Sequence, residues 1–177
     1  MDNLPNIITI ARIATVPILV VLGYGDTTGA AYAAFVVFIV ASLSDSLDGY
    51  LARRYGIVSR MGKWLDPLAD KLLVGAALVV LVETRDFPLV VALVIAFREI
   101  AVQILRAQIV RGGGDLPASV SAKWKTVTQI VMVSWWLLPW DATNAGHWVL
   151  LVLAIATTLW SGAEYFVKAQ RVEEVSP

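Results

Sequence analysis

Cysteine is absent from this 177-residue chain, and histidine occurs once, at His147. Without a thiol there is no disulfide, no thiolate metal site and no cysteine nucleophile. The single imidazole lies on the side opposite the acidic residues discussed below, and it reads as an interfacial residue. A charge excess is lacking too. Fourteen Lys and Arg balance fourteen Asp and Glu, so bulk charge calls for no nucleic-acid partner. Internal repeats, low-complexity tracts and a separate soluble domain are also missing. The Gly112-Gly113-Gly114 run has no strand–loop–helix context, which excludes a nucleotide-binding glycine loop and leaves a flexible connection.

What is abundant is apolar sequence. Hydrophobic residues make up 58% of the chain and the mean hydropathy is +0.73, too apolar for an ordinary soluble domain. A membrane span needs about 20 mostly apolar residues. Six such runs occupy approximately residues 6–22, 29–51, 62–82, 87–110, 121–138 and 146–167. The expected architecture is therefore an all-α integral membrane protein, a bundle of six transmembrane helices in one domain over residues 1–177. The first run carries Arg12 and Pro17 and follows Asp2 rather than a basic segment, so it does not read as a cleaved signal peptide.

The connections give an orientation. Arg53, Arg54, Arg60 and Lys63 flank the second connection, Arg106, Arg111, Lys123 and Lys125 the fourth, and Lys168 and Arg171 follow the last run. The other connections carry Asp26, Glu83, Asp86 and Asp141, with Arg85 as their only base. By the positive-inside rule the even connections and both termini face the cytoplasm. Trp135, Trp136, Trp140 and Trp148 gather around the fifth connection, as an interfacial belt does.

Four acids stand out against this background. Asp45, Asp48, Asp66 and Asp70 form two pairs, spaced i,i+3 and i,i+4, within the second and third runs. Carboxylates in such segments are expensive and usually functional. With Ala52 and Gly62 as rough helix ends, Asp48 and Asp66 lie ~6 Å inside, and Asp45 and Asp70 lie ~10–12 Å inside. Two antiparallel neighbours would then present paired carboxylates at matched depth. Unaided, four such acids repel one another and some must stay protonated. A hard divalent cation removes that cost, and an all-oxygen donor set suits it.

Between the pairs, Gly49 and Ala52 are small and open a groove on the second helix, while Gly62 keeps the start of the third helix open. Arg53 stands at the mouth of that groove, where its fork can hold a phosphate. Acids, groove and arginine together suggest a metal-bridged diphosphate ligand whose lipid portion extends into the bilayer.

The spacing Asp45-x2-Asp48-Gly49-x2-Ala52-Arg53-x8-Gly62-x3-Asp66-x3-Asp70 resembles the CDP-alcohol phosphotransferase pattern at all eight specified positions. Other stretches resemble the bacterial phosphatidylglycerophosphate synthases within that family. They are the opening Asn3-Leu4-Pro5-Asn6 with Thr9, Arg12 and Pro17, then Arg98-Glu99-Ile100 with Arg106, Lys123-x-Lys125-Thr126-x2-Gln129, and Leu159-Trp160-Ser161. The resemblance implies phosphatidyl transfer from CDP-diacylglycerol to an alcohol, with release of CMP. It implies that Asp45, Asp48, Asp66 and Asp70 bind two Mg²⁺ or Mn²⁺ ions and that Asp70 is also the general base. Asn6, Thr9, Asp48, Gly49, Ala52, Arg53, Ser59 and Gly62 would bind CDP-diacylglycerol. A homodimer among membrane lipids, in the bacterial cytoplasmic membrane with its active site facing the cytoplasm, is implied as well.

The acceptor is read from the fourth and fifth runs. Glu99, Gln103 and Arg106 fall on one helical stripe, with Arg98 beside it and Lys123 and Lys125 opening the fifth run. Several bases near one mouth suit an acceptor that carries a phosphate, which makes glycerol 3-phosphate the leading candidate. Arg98, near mid-span, reads as an ion-pair partner or an acceptor ligand. Phosphatidylglycerol, as in cardiolipin synthase, and inositol phosphate are the competing acceptors. A cation-coupled transporter is the competing class, but it would place its acids near the midplane and often show inverted repeats.

Overall fold

In the computed structural model of the chain, the backbone is described for residues 4–55, 62–112, 119–141 and 144–175, and side chains for 10–44, 69–112, 119–141 and 144–170. Six helices, and no strands, account for the described residues. They are α1 (Leu4–Gly23), α2 (Thr28–Tyr55), α3 (Gly62–Thr84), α4 (Leu89–Arg111), α5 (Val120–Leu137) and α6 (Ala145–Val175). Each starts within two residues of an expected run. Two of them overshoot by more than two residues: α2 continues four residues past 51, and α6 eight residues past 167. Hydropathy marks where an apolar stretch stops, whereas backbone hydrogen bonding carries the helix on through Arg53-Arg54 and Lys168-Ala169-Gln170-Arg171. Among the described residues one helix is long and apolar enough to cross a membrane, Ala145–Gln170, with mean hydropathy 1.6. Shorter apolar helices lie at Ile10–Gly23 and Thr28–Ser44.

The helix starts are chosen by short polar side chains. Thr27 Oγ1 accepts the Ala30 N–H at 3.1 Å ahead of α2, Ser119 Oγ accepts the Ala122 N–H at 3.2 Å ahead of α5, and Asn144 Oδ1 accepts the Gly146 N–H at 2.9 Å ahead of α6. Each satisfies one of the amide groups that a helix leaves open at its beginning. Pro17 sits inside α1 without ending it.

The contacts divide the chain into two compact units. One comprises Met1–Phe87 with Val133–Ala142, and the other Pro88–Met132 with Thr143–Pro177. In the first unit α1, α2 and α3 pack together. Ala69, Leu73, Ala77 and Leu81 recur at i, i+4, i+8 and i+12 as one buried stripe of α3, while α2 contributes Ala31, Ala34, Phe38 and Ala41, and α1 Leu19. Small residues on these stripes let the backbones approach closely. Trp136 belongs to this core rather than to an interfacial belt, because it is 6% exposed and packs edge-on against Phe87 at 4.9 Å. Trp135 stacks on the exposed Trp140 at 5.4 Å.

Gly23, at the end of α1, shows how tight the packing is. A Cβ there would meet Val80 Cγ1 at 2.4 Å and two further atoms of the same stiff side chain. We expect Gly23→Ala to destabilise the protein by about 1–3 kcal/mol, the usual cost of overpacking. A melting curve in detergent checks this, and an unchanged midpoint would contradict the close α1–α3 approach.

In the second unit α4 packs against α6. Val102 and Ile109 from α4 meet Tyr165 and Ala169 from α6, with Leu105 and Ala122 against them. His147, near the start of α6, is buried rather than interfacial, with its Nδ1 3.3 Å from the Asn144 carbonyl oxygen.

Candidate active site

The acid motif occupies the end of α2 and the start of α3, both within the first unit. Asp45, Asp48, Gly49, Ala52 and Arg53 lie on unbroken helical backbone of α2, and Gly62, Asp66 and Asp70 on that of α3. An i,i+3 pair and an i,i+4 pair each occupy one helical face. The side chains of these residues other than Asp70, and those of Asn6 and Thr9, fall outside the described residues, as does all of Ser59. The expected meeting of the two carboxylate pairs therefore lies outside them too.

Asp70 is described. It is half-buried, next to the fully buried Ala69, and it is engaged in a polar interaction. On α1 of the same unit Arg12 is 3% exposed and likewise engaged. Arg12 stands eight residues after the first residue of α1, and Asp70 eight residues after the first of α3. That is ~12 Å of helical rise in each case. A buried guanidinium is tolerated only beside an anion or strong acceptors. Its place in the unit that carries the acid motif makes Arg12 a functional candidate that motif spacing passed over. The signal was present, since a charged residue inside an apolar run carries the same cost that singled out the aspartates.

The four acceptor candidates belong to the second unit and separate into two kinds. Arg98 is half-buried and held in a network: Nη1 lies 3.2 Å from Glu99 Oε1, Nη2 donates to Ser161 Oγ at 2.6 Å, and the guanidinium sits 5.8 Å from the Tyr165 ring centroid. Lys125, buried on α5, donates to the same Glu99 oxygen. Glu99 thus joins two cations from different helices. Arg106 and Lys123 are exposed and make no ion pair among the described residues. Gln103, on the same stripe of α4 as Arg106, is exposed as well.

A second polar cluster in this unit was not anticipated. Glu164 on α6 accepts a hydrogen bond from Ser121 and pairs with Lys168 at 2.6 Å, while Ser119 and Ser121 share a bond of 2.7 Å. About two turns away along α6, Gln129 Nε2 donates to Thr158 Oγ1 at 2.9 Å, and Thr128 and Thr157 share a 2.7 Å bond. These pairs tie the first part of α5 to α6 where apolar contact is sparse. Glu164 could have been flagged by the cost of an acid in an apolar run; the serines carry no such signal.

Comparison with known proteins gives the family. The CDP-alcohol phosphatidyltransferase family matches residues 2–160, a span that contains the whole acid motif. The chain is 42% identical over 184 aligned positions to a Bacillus subtilis protein named CDP-diacylglycerol–glycerol-3-phosphate 3-phosphatidyltransferase, covering 95% of each. It is 36% identical to the Rickettsia bellii protein of the same name, over 93% of this chain and 94% of that one. A Mycobacterium tuberculosis protein, named probable phosphatidylglycerophosphate synthase, is 36% identical over 96% of this chain and 82% of its own length. This chain belongs to the CDP-alcohol phosphatidyltransferase family.

Proposed function

We propose that this protein transfers the phosphatidyl group of CDP-diacylglycerol to glycerol 3-phosphate, forming phosphatidylglycerophosphate and CMP. The observation that carries this reading is the complete eight-position motif, set on two continuous helices inside the matched family span. The names of the full-length relatives support glycerol 3-phosphate as the acceptor.

The donor set of Asp45, Asp48, Asp66 and Asp70 is all carboxylate, which fits hard cations such as Mg²⁺ or Mn²⁺ and disfavours soft metals. Bound there, two ions would neutralise the diphosphate and stabilise charge on the departing CMP. Gly49 and Ala52 leave room for the nucleotide against α2, and Arg53 holds a phosphate with its fork. Asn6, Thr9, Ser59 and Gly62 complete the donor contacts. Asp70 removes the proton from the acceptor hydroxyl. The hydroxyl oxygen then forms a bond to the phosphorus that bears diacylglycerol, as the bond from that phosphorus to the CMP oxygen breaks.

For the acceptor we assign first contact with its phosphate to Arg106 and Lys123, because both cations are exposed and neither pairs with a carboxylate among the described residues. Arg98 and Lys125, tied to Glu99, add positive charge and hold the shape of the second unit. Arg106→Ala or Lys123→Ala should raise KM for glycerol 3-phosphate about tenfold, the loss of one charge-assisted contact, and leave KM for CDP-diacylglycerol within about twofold. Equal effects on both substrates would reassign these residues to general charge.

Six membrane spans, an active site at the cytoplasmic face of a bacterial inner membrane, and a homodimer complete the reading. The membrane part is supported by large apolar side chains left outward on every helix, among them Val21, Val36, Leu72, Phe97, Val127 and Trp160. A soluble protein does not leave so much apolar surface uncovered. The direct test of the reaction supplies labelled glycerol 3-phosphate and CDP-diacylglycerol to the purified protein. Label should enter a phosphatidylglycerophosphate product with one CMP released per transfer; CMP without lipid product would indicate hydrolysis instead.

A further inference from the structure

At the end of the first unit opposite the acid motif, the close of α1, the start of α2, the close of α3 and Pro139 surround a polar cavity of about 240 Å³. Thr28, on its wall, precedes Asp48 by twenty residues of α2, and Thr84, also on its wall, follows Asp66 by eighteen residues of α3. Helical rise puts the cavity roughly 30 Å from the acids, which is the thickness of a bilayer's hydrocarbon layer. In the proposed membrane orientation it therefore opens among the headgroups of the opposite leaflet.

Two charged residues line the cavity, Arg85 and Asp26. They do not pair with one another, and neither has an ion-pair or side-chain hydrogen-bond partner among the described residues. Arg85 is half-buried and its backbone is held firmly. Its N–H donates to the Leu81 carbonyl at 3.0 Å, the Phe87 N–H reaches the same carbonyl at 3.3 Å, and the intervening Asp86 adopts a left-handed φ of 52°. That reversal ends α3 and keeps Arg85 at the cavity wall. Tyr24 and Thr28, both exposed, also line the space, and neither side chain has a hydrogen-bond partner among the described residues, whereas Thr27 Oγ1 is occupied by the Ala30 N–H.

Arg85 is the one base in the connections assigned to that side, against the positive-inside distribution of the rest of the chain. A cation at a helix C-terminus gains from the helix dipole. The dipole accounts for a base at that point, but not for a cavity that the exposed carboxylate of Asp26 lines as well. A purely anionic ligand would satisfy Arg85 and oppose Asp26. A zwitterion satisfies both.

We propose that this cavity binds a zwitterionic phosphate–ammonium headgroup, with the phosphate on Arg85 and the hydroxyls of Tyr24 and Thr28, and the ammonium on Asp26. The site is separate from the catalytic motif and is suited to a structural lipid of the opposite leaflet. The volume suits a headgroup, with the acyl chains lying outside along the helices.

Native mass spectrometry of the detergent-purified protein tests this, with phosphatidylethanolamine, phosphatidylglycerol or free phosphoethanolamine added at equal concentration. Wild type should retain phosphatidylethanolamine in preference to phosphatidylglycerol. Arg85→Gln should weaken retention of both about tenfold, or 1.4 kcal/mol. Asp26→Asn should leave phosphatidylglycerol retention intact and abolish the preference. Binding of free phosphoethanolamine as tight as that of the lipid would support the same site with a soluble occupant. Equal retention by wild type and Arg85→Gln, or an unchanged preference in Asp26→Asn, would overturn the proposal. CMP release by the wild-type preparation reads the proposed reaction independently, so failure of one does not disguise failure of the other.

Discussion

Asp70→Asn is expected to lower CMP release by about three orders of magnitude while CDP-diacylglycerol still binds. Removing a positioned general base alone costs typically 10²–10⁴-fold. Asn keeps the size and one oxygen of the side chain, so packing beside the buried Ala69 is preserved. It cannot take a proton from the acceptor hydroxyl. Three carboxylates would remain from the donor set, and with them enough charge to hold the donor's diphosphate through the metal. Steady-state CMP release and equilibrium binding of CDP-diacylglycerol, measured on the same preparation, separate the two functions. Near-normal turnover would remove Asp70 from catalysis. Loss of donor binding together with turnover would make it a ligand alone.

The second large effect concerns the cation. Rigorous chelation should abolish turnover, and Mg²⁺ or Mn²⁺ should restore it. Four carboxylates meeting as proposed, with a diphosphate brought among them, would concentrate negative charge where solvent screening is weak. Without cations the acids would have to take up protons and the donor would be repelled. Restoration by a hard divalent ion, but not by a monovalent salt at matched ionic strength, is the outcome the donor set demands. Full activity after chelation would remove the metal from the account.

The helices themselves were legible in the sequence, because an apolar run of about 20 residues is a length signal that needs no partner. Their ends were less so. Arg53 and Arg54 mark the edge of hydropathy, yet α2 runs on to Tyr55. The acid motif was legible because its spacing is local and each carboxylate carries a visible cost. That Arg98 takes an ion pair was legible from its place near mid-span; which residues meet it was not. Arg98 and Glu99 are adjacent in sequence, a spacing that normally points side chains apart on a helix, yet their side chains meet and Lys125 joins them from α5. Trp136 and His147 show the same limit. Each has the composition of an interfacial residue, and each is buried by neighbours that the linear sequence does not reveal. Arg12 was readable by the rule applied to the aspartates, but a single charge without a spaced companion draws less notice than a pair.

Turnover with a panel of alcohols tests the central claim most directly. The purified protein receives CDP-diacylglycerol and Mg²⁺ with glycerol 3-phosphate, phosphatidylglycerol, inositol phosphate or no alcohol, and CMP is measured in each. Release should require the alcohol and be fastest by far with glycerol 3-phosphate. Release that is equal without any alcohol, or that is fastest with phosphatidylglycerol or inositol phosphate, would contradict the assigned reaction.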